Sequence, residues 1–267
     1  MSDVVHVAPL SLPLSLTEIK THLRVDHSDE DAKITALTWA AVNYVEAATS
    51  RALVAHTRRI YADSFADASV DVDVVEIARG PLRAVSSITY SDTNGNAQTL
   101  STTDYTVDKF SQRARIMPSY GKWWPATRST ANSITIEYRA GHSIAATANA
   151  STDTITAASH GYSNGDVVQL YNSGGALPGG LSESIAYYVV GATSDTLQLS
   201  ITSGGAAVDI TGAGTGTHFL GVVPRPLLEA CLLLIGHLYE NREATNAQPL
   251  AQIPLGIDAL CSPYRIF

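Results

Sequence analysis

Positive charge is missing from a long central part of the sequence, since no lysine or arginine occurs between Arg139 and Arg225. Over the whole chain 25 Asp and Glu outweigh 17 Lys and Arg, and the formal net charge is −8 at pH 7. A dedicated nucleic-acid-binding protein usually has a basic surplus, so this balance argues against that class. The same acidity is compatible with a protein that lets DNA slide past, because like charges repel.

Cysteine is scarce, and so are long apolar runs. Cys231 and Cys261 lie in apolar helical contexts without a CxxC pair or a histidine at ligand spacing, so we interpret them as buried free thiols. The sequence does not exclude a disulfide between them. The apolar run at residues 227–238 contains Glu229 and is shorter than the about 20 residues that a membrane span needs. With no basic and then apolar leader, we expect a cytoplasmic or particle-bound protein with no membrane partner.

Helical periodicity marks two stretches near the N-terminus. Leu16, Ile19 and Leu23 share one face, and Ser15 with Glu18 has the spacing of a capping box. The acidic residues 29–31 then precede apolar positions spaced by three and four, which predicts a helix of about five turns that ends near Thr49.

Residues 57–139 have the alternation and composition of antiparallel strands. The pair Asn94 and Gly95 predicts a tight hairpin turn, because both central residues of that turn need a positive φ. We predict strands at residues 57–65, 70–78, 84–90, 105–108, 115–117 and 133–138.

Glycine accumulates where positive charge is missing: fourteen of the nineteen glycines lie between Gly141 and Gly221. Short strands separated by turns are predicted there at residues 152–157, 166–170, 185–190, 196–200 and 207–210. We interpret residues 143–219 as a small all-β module inserted into another domain; a disordered linker is the alternative. Helices then return at residues 226–243 and 254–261, which gives an α+β fold class.

Catalytic and metal-binding patterns are weak. Ser143 lies in a G-x-S-x-A sequence after a strand, but no helix follows it, as a nucleophile elbow requires. His27 and the acidic residues 29–31 are explained more simply by helix capping than by metal binding. We therefore expect no catalytic residue, no metal and no cofactor.

Two adjacent tryptophans in a loop, Trp123 and Trp124, allow two interpretations. Paired tryptophans pack against a core or form the centre of a contact with another protein. Both possibilities stay open from the sequence.

Several segments together resemble tailed-phage head–tail connector (adaptor) proteins. The similarity lies in residues 14–53, in the RGPLRAVSSITY and ITIEYRAG segments, and in the segments VPRPLLEACLLLIGHLYENRE and IPLGIDAL, covering residues 14–142 and 222–266. The order and spacing of the segments carry this resemblance, since no single motif is specific. The glycine-rich module is a departure from the usual family pattern.

The resemblance implies a structural, non-enzymatic virion protein at the head–tail junction, made in the host cytoplasm. It implies a ring, expected to be a dodecamer, that binds the portal protein and a tail-side stopper protein while DNA passes through without sequence-specific binding. We divide the chain into a connector domain at residues 1–142, the inserted module at 143–219, and C-terminal helices at 220–267 that complete a helical connector core. A virion surface or carbohydrate-binding protein acting through the module is the alternative function.

The implied ring also directs attention to interface residues. The apolar positions of residues 227–238 are expected to pack on the helix of residues 31–49, while the polar end of the same helix reaches a neighbouring subunit. The C-terminal tail is expected to bind the portal or a neighbour. The candidate interface residues are Trp123, Trp124, Tyr239, Glu240, Arg242, Glu243, Tyr264, Arg265 and Phe267.

Overall fold

The computed structural model describes residues 1–9, 12–14, 16–65, 69–71, 73–173, 175–241 and 255–266. These residues form four α-helices and three antiparallel sheets, so the predicted α+β class is confirmed. The chain divides into two compact units. Unit 1 contains Met1–Pro9, Ser50–Gly141 and Ile266, and unit 2 contains Leu10–Thr49 and His142–Arg265.

Unit 1 consists of a five-stranded and a four-stranded antiparallel sheet around one apolar core. The strands are β1 (Ser2–Val7), β2 (His56–Ala62), β3 (Ser69–Asp71), β4 (Val74–Glu76), β5 (Leu82–Ser91), β6 (Ala97–Thr99), β7 (Tyr105–Asp108), β8 (Arg115–Pro118) and β9 (Ile134–Ala140). The sheet orders are β1-β2-β9-β5-β6 and β3-β4-β8-β7.

Three isoleucines in register form the centre of this core. Ile136 on β9 pairs with Ile60 on β2 and with Ile88 on β5, and all three side chains are fully buried. Each buried side chain of this size stabilises the fold by about 1.5–3 kcal/mol. The alternating burial of β2 and β9 is the period-2 pattern that predicted these strands.

Strand β1 has no counterpart among the predicted elements. It pairs antiparallel with β2 and has a register shift between Val5 and Val7. Its valines remain largely exposed, so its sequence carries no core-facing apolar pattern that would have indicated a strand.

The hairpin at Asn94 and Gly95 exists, but the predicted turn geometry is wrong. Gly95 has a φ of +91°, and Asn94 is not among the residues with positive φ. The carboxylate of Asp92 accepts the backbone N–H groups of Asn94 and Asn96, each at 2.9 Å. An Asp side chain closes this loop, and the wider turn needs only one residue with positive φ.

Unit 2 contains the helices α1 (Leu16–Leu23), α2 (Asp31–Thr49), α3 (Arg225–Glu240) and α4 (Leu255–Cys261), followed by a 3₁₀ turn (Ser262–Tyr264). Helix α2 ends at the predicted residue. Ser15 of the predicted capping box lies outside the described residues. In the part of the chain that the structure describes, no helix is long and apolar enough to span a membrane.

The apolar face of α3 packs on α2, as predicted. Leu227, Cys231 and Ile235 of α3 are fully buried, as is Ile34 of α2. The two helices are far apart in sequence, and their packing joins the N-terminal and C-terminal ends of unit 2.

Residues 143–221 form a seven-stranded antiparallel sheet with its own apolar core. The strands are β10 (Ser143–Asn149), β11 (Thr154–Thr156), β12 (Val167–Val168), β13 (Leu170–Ser173), β14 (Tyr187–Val190), β15 (Thr196–Ser200) and β16 (Thr217–Gly221). The strand order is β12-β14-β15-β11-β10-β16-β13.

The predicted strand at residues 207–210 is wrong. Its backbone makes single hydrogen bonds, from Val208 N–H to the carbonyl of Leu199 (2.7 Å) and from Ile210 N–H to the Asp153 carboxylate (2.8 Å). Burial of Ile210 explains the apolar pattern without a ladder. The inner strands β10 and β16, which pair with each other, were not predicted.

Candidate interaction surfaces

A tight turn after β8 presents two exposed aromatic side chains in unit 1. We call residues 120–123 the aromatic turn. Tyr120 is 107% exposed and Trp123 is 78% exposed. The backbone N–H of Lys122 donates to the carbonyl of Ser119 (2.8 Å), and its Nζ lies 3.2 Å from the carboxylate of Asp104. The turn is therefore anchored by backbone and charge while its aromatic rings remain in solvent.

The neighbouring Trp124 has a different role. Its ring stacks on Phe65 with centroids 4.5 Å apart and planes 2° apart, and its indole N–H donates to the carbonyl of Asp73 (3.1 Å). It also packs against the core of unit 1. Of the two interpretations that the sequence left open for this pair, the packing one therefore describes Trp124, whereas the exposure of Trp123 suits a contact.

A third exposed aromatic, Phe110, lies at the opposite end of the β7–β8 hairpin and is 101% exposed. Asp108 shapes this loop. Its carboxylate accepts the hydroxyl of Ser111, a guanidinium N–H of Arg115 (2.7 Å) and the backbone N–H of Phe110 (2.9 Å). These donors, with the Ser111 hydroxyl first, hold the pKa of Asp108 well below its ordinary value.

A buried polar network fastens β1 to β2 and β9. The carboxylate of Asp3 accepts Nε–H of Arg58 (3.0 Å) and the hydroxyl of Tyr138 (2.9 Å). Arg58 also donates to Nε2 of His56 (3.2 Å), whose Nδ1–H donates to the carbonyl of Val54 (2.8 Å). Burial raises the pKa of Tyr138, with a further contribution from Asp3, and burial lowers the pKa of His56. We call these four side chains, Asp3, His56, Arg58 and Tyr138, the charged network.

The polar end of α3 is partly engaged within unit 2. The hydroxyl of Tyr239 donates to the carboxylate of Glu30, and Glu240 is exposed. Arg242 and Glu243 lie outside the described residues. The predicted contact between this end and a neighbouring subunit stays a prediction.

The end of the chain also makes contacts of its own. Arg265 pairs with Asp258 of α4 (2.8 Å), and Tyr264 is half-buried. Ile266 is buried, and Phe267 lies outside the described residues.

The weak catalytic patterns do not assemble into a reactive centre. Ser143 lies on β10 opposite Gly221 instead of on a strand-to-helix turn. Cys231 and Cys261 are buried free thiols, as interpreted, and burial raises the pKa of Cys231 to about 12. Among the residues that the structure describes, no group of three or more His, Cys, Asp or Glu could hold a metal ion.

A cavity of about 260 Å³ lies within unit 2, between the start of α3, α1 and the loop at residues 159–167. Arg225 pairs with Glu18 (2.7 Å) and Glu229 (3.0 Å) at its edge. The buried His160 and the partly buried Tyr162 line it, with the Tyr162 hydroxyl donating to the carbonyl of Gly221. The polar side chains around the cavity have ion-pair or hydrogen-bond partners within unit 2. We therefore interpret the cavity as part of the packing between α1, α3 and the loop.

Sequence reasoning did not identify Tyr120, Phe110 or the charged network. The loop composition around Tyr120, with Gly121 and Lys122 beside two tryptophans, was a usable signal of an exposed turn. The charged network had no local signal, because Asp3 is 55 residues from Arg58 and 135 residues from Tyr138.

Comparison with known proteins identifies a family over part of the chain. Residues 13–120 match the family model described as "Phage gp6-like head-tail connector protein". The resemblance to head–tail connectors is thereby confirmed. A search of curated proteins finds no match.

Solved structures show the fold over the whole chain. The structures "Neck of empty GTA particle computed with C6 symmetry", "Virion of native gene transfer agent (GTA) particle" and "Neck of native GTA particle computed with C12 symmetry" contain chains similar to this one, with TM-scores of 0.59, 0.60 and 0.58. Each matched chain is 16% identical to this one, and each alignment covers 100% of this chain and 96% of the matched chain. The shared fold therefore includes the seven-stranded sheet.

Proposed function

We propose that this chain is a structural head–tail connector that forms a ring between the portal and the tail of a phage-like particle. The observation that carries this proposal is the match of residues 13–120 to the connector family. The fold similarity to neck chains supports it, because it extends from the matched segment over the remaining residues.

The ring is proposed to be a dodecamer, which is compatible with the C12 symmetry applied to one of the similar necks. It binds the portal on one side and a stopper protein on the other, and DNA passes through its channel without sequence-specific contacts. The task is mechanical attachment, so the chain is not an enzyme. The acidic balance of the chain suits a conduit, since phosphate and carboxylate groups repel each other.

Residues 143–219 are proposed to serve the connector itself. The similarity to chains of the neck structures covers both chains almost completely, which supports counting the seven-stranded sheet as part of the connector. This favours the connector role over a separate surface-binding role for the module. The grouping of residues 1–142 and 220–267 into one connector domain remains part of this proposal.

Two surfaces are proposed to form contacts in the assembled ring. The first contains the exposed Trp123, and the second contains Tyr239 and Glu240 at the end of α3. On the sequence alone, Arg242 and Glu243 are proposed to extend the α3 contact with a neighbouring subunit. Tyr264, Arg265 and Phe267 of the C-terminal tail are proposed to bind the portal or a neighbour.

Electron microscopy of purified particles labelled with an antibody to this chain tests the proposal. We expect label confined to the head–tail junction. Label on tail tips or along the capsid would contradict the connector role and would make the seven-stranded sheet the main functional element.

A further inference from the structure

The aromatic turn has the features of a preformed contact element. Its backbone is fixed on one side by the Lys122–Asp104 pair and on the other by Trp124, which stacks on Phe65. A rigid turn loses little conformational freedom on binding, and large exposed aromatic rings contribute most of the energy of many interfaces. Tyr120 and Trp123 are therefore placed to contact the surface of a partner.

The distribution of charge between the two units indicates which partner this is. Unit 1 contains eleven Lys and Arg against ten Asp and Glu, a net charge of +1, whereas unit 2 contains six against fifteen, a net charge of −9. Residues 109–128 include five Lys and Arg and no Asp or Glu. Three of these cations pair with carboxylates elsewhere in unit 1, so a local excess of two positive charges remains near the aromatic turn. A strongly acidic surface is attracted to this part of unit 1 and is repelled by another copy of unit 2.

Ring symmetry requires such a pairing of unlike surfaces. A closed ring of more than two copies is built from head-to-tail contacts, in which one patch of a subunit meets a different patch of the next. Two units of unequal charge in one chain supply two unlike surfaces, so every copy can both offer and receive the contact.

Resting on the connector role proposed above, we propose that the aromatic turn of one copy docks onto the acidic unit 2 of the next copy around the ring. Tyr120 and Trp123 supply the apolar anchor, and the difference in charge selects the orientation. The receiving surface belongs to residues 16–49 or 142–241.

DNA is the competing partner for an aromatic and basic segment, and the structure favours protein. Phosphate binding needs available cations. Three of the five cations already have carboxylate partners within unit 1: Arg113 with Glu76 (3.6 Å), Arg115 with Asp108 (2.7 Å) and Lys122 with Asp104 (3.2 Å).

Site-specific photocrosslinking in assembled particles tests the contact. Trp123 is replaced by p-benzoylphenylalanine in the full chain, and Phe110, exposed at the opposite end of the hairpin, receives the same replacement as the matched control. With isotopically light and heavy copies mixed, we expect the probe at position 123 to crosslink one copy to residues 16–49 or 142–241 of another, and the probe at position 110 to give at least about tenfold less of that product. Crosslinks from position 123 to unit 1 of another copy, to a different protein or to DNA would overturn the contact, and so would their absence from an assembled neck.

A variant measurement gives a second criterion. The double variant Tyr120→Ser/Trp123→Ser should lower the amount of this chain in purified necks at least about tenfold, while Phe110→Ser leaves it unchanged; circular dichroism melts establish that both variants fold. Equal incorporation of both variants would refute the contact. If the wild-type chain is itself missing from the neck, both the connector role and the proposed contact are contradicted. If the wild-type chain is in the neck but position 123 contacts a different surface, only the proposed contact is contradicted.

Discussion

The two β regions of this chain stabilise their buried polar groups in different ways. In unit 1 the charged network places the Arg58–Asp3 ion pair on the core side of β2, with Tyr138 and His56 as further partners. Among the described residues of the seven-stranded sheet of unit 2, the buried polar side chains are His160, Gln169, Ser200 and His218, with no Lys, Arg, Asp or Glu. There His160 accepts the N–H of Tyr162 (3.0 Å) and bonds the carbonyl of Thr196 (3.3 Å).

The difference follows from composition and has an energetic consequence. The sheet of unit 2 lies in the part of the sequence that has no lysine or arginine, so a buried carboxylate there would have no cationic side chain of its own region as a partner. A neutral hydrogen bond loses about 1–3 kcal/mol when one partner is removed, whereas a broken buried ion pair leaves an uncompensated charge and costs about 3–5 kcal/mol. Unit 1 is therefore the more sensitive unit to single polar substitutions.

The largest effect is expected from Arg58→Met. The change leaves the Asp3 carboxylate buried beside Tyr138 without its cation, and we expect a loss of about 3–5 kcal/mol in the free energy of unfolding of unit 1. Chemical denaturation measures it, and hydrogen exchange should show β1 losing protection first. The adjacent Arg59→Met, whose partner Glu137 is more exposed, is the matched control with a much smaller loss. Equal losses in the two variants would show that the charged network is not a special feature of unit 1.

Removal of core volume should affect the two units to a similar extent. Ile136→Ala on β9 and Leu197→Ala on β15 each empty a fully buried site, so we expect each to cost about 2–5 kcal/mol. Hydrogen exchange should show the loss of protection within the unit that carries the change. Loss of protection spread equally over both units would mean that the chain unfolds as one cooperative body.

A smaller effect is expected when a buried polar group of unit 2 is removed. His160→Phe leaves the N–H of Tyr162 and the carbonyl of Thr196 without this partner, which should cost about 1–3 kcal/mol. Thermal or chemical unfolding of the full chain measures the change. A loss as large as that of Arg58→Met would remove the energetic contrast between the two β regions.

The smallest effect is a dependence on pH that belongs to unit 1. Burial lowers the pKa of His56 below its unfolded value of about 6.5. As the pH falls below that value, the unfolded chain takes up a proton that the folded chain does not, so stability falls by up to about 1.4 kcal/mol per pH unit. Arg58 and Arg79 add to the lowering and Asp3 opposes it. His56→Gln should flatten the dependence as the pH falls below about 6.5, and an unchanged slope in that variant would assign the effect to another group.

Local pattern was sufficient to predict some elements closely. Helix α2 ends at Thr49, and strands β7 and β15 have the predicted bounds. Each of these elements buries one regular face. A buried face appears in the sequence as apolar residues repeating every 3.6 positions in a helix or every 2 positions in a strand. The predicted packing of α3 on α2 followed from the same apolar spacing.

Elements decided by distant partners could not be predicted. Strand β1 is held by Asp3, whose partners Arg58 and Tyr138 lie far along the chain. Residues 207–210 have the composition of a strand but no ladder partner, because Leu199 and Asp153 each accept only a single hydrogen bond from them. Strand formation depends on pairing, and pairing is a property of the folded chain.

The sequence by itself determined the α+β class, the long helix and the resemblance to head–tail connectors, because residue periodicity and the order of segments are written along the chain. Only the tertiary structure decided that Trp124 belongs to the core while Trp123 faces solvent. Two identical side chains differ there because Phe65 and the carbonyl of Asp73 lie within reach of one and not the other. The burial of a side chain depends on which distant residues pack against it, and that packing is defined only in the folded chain.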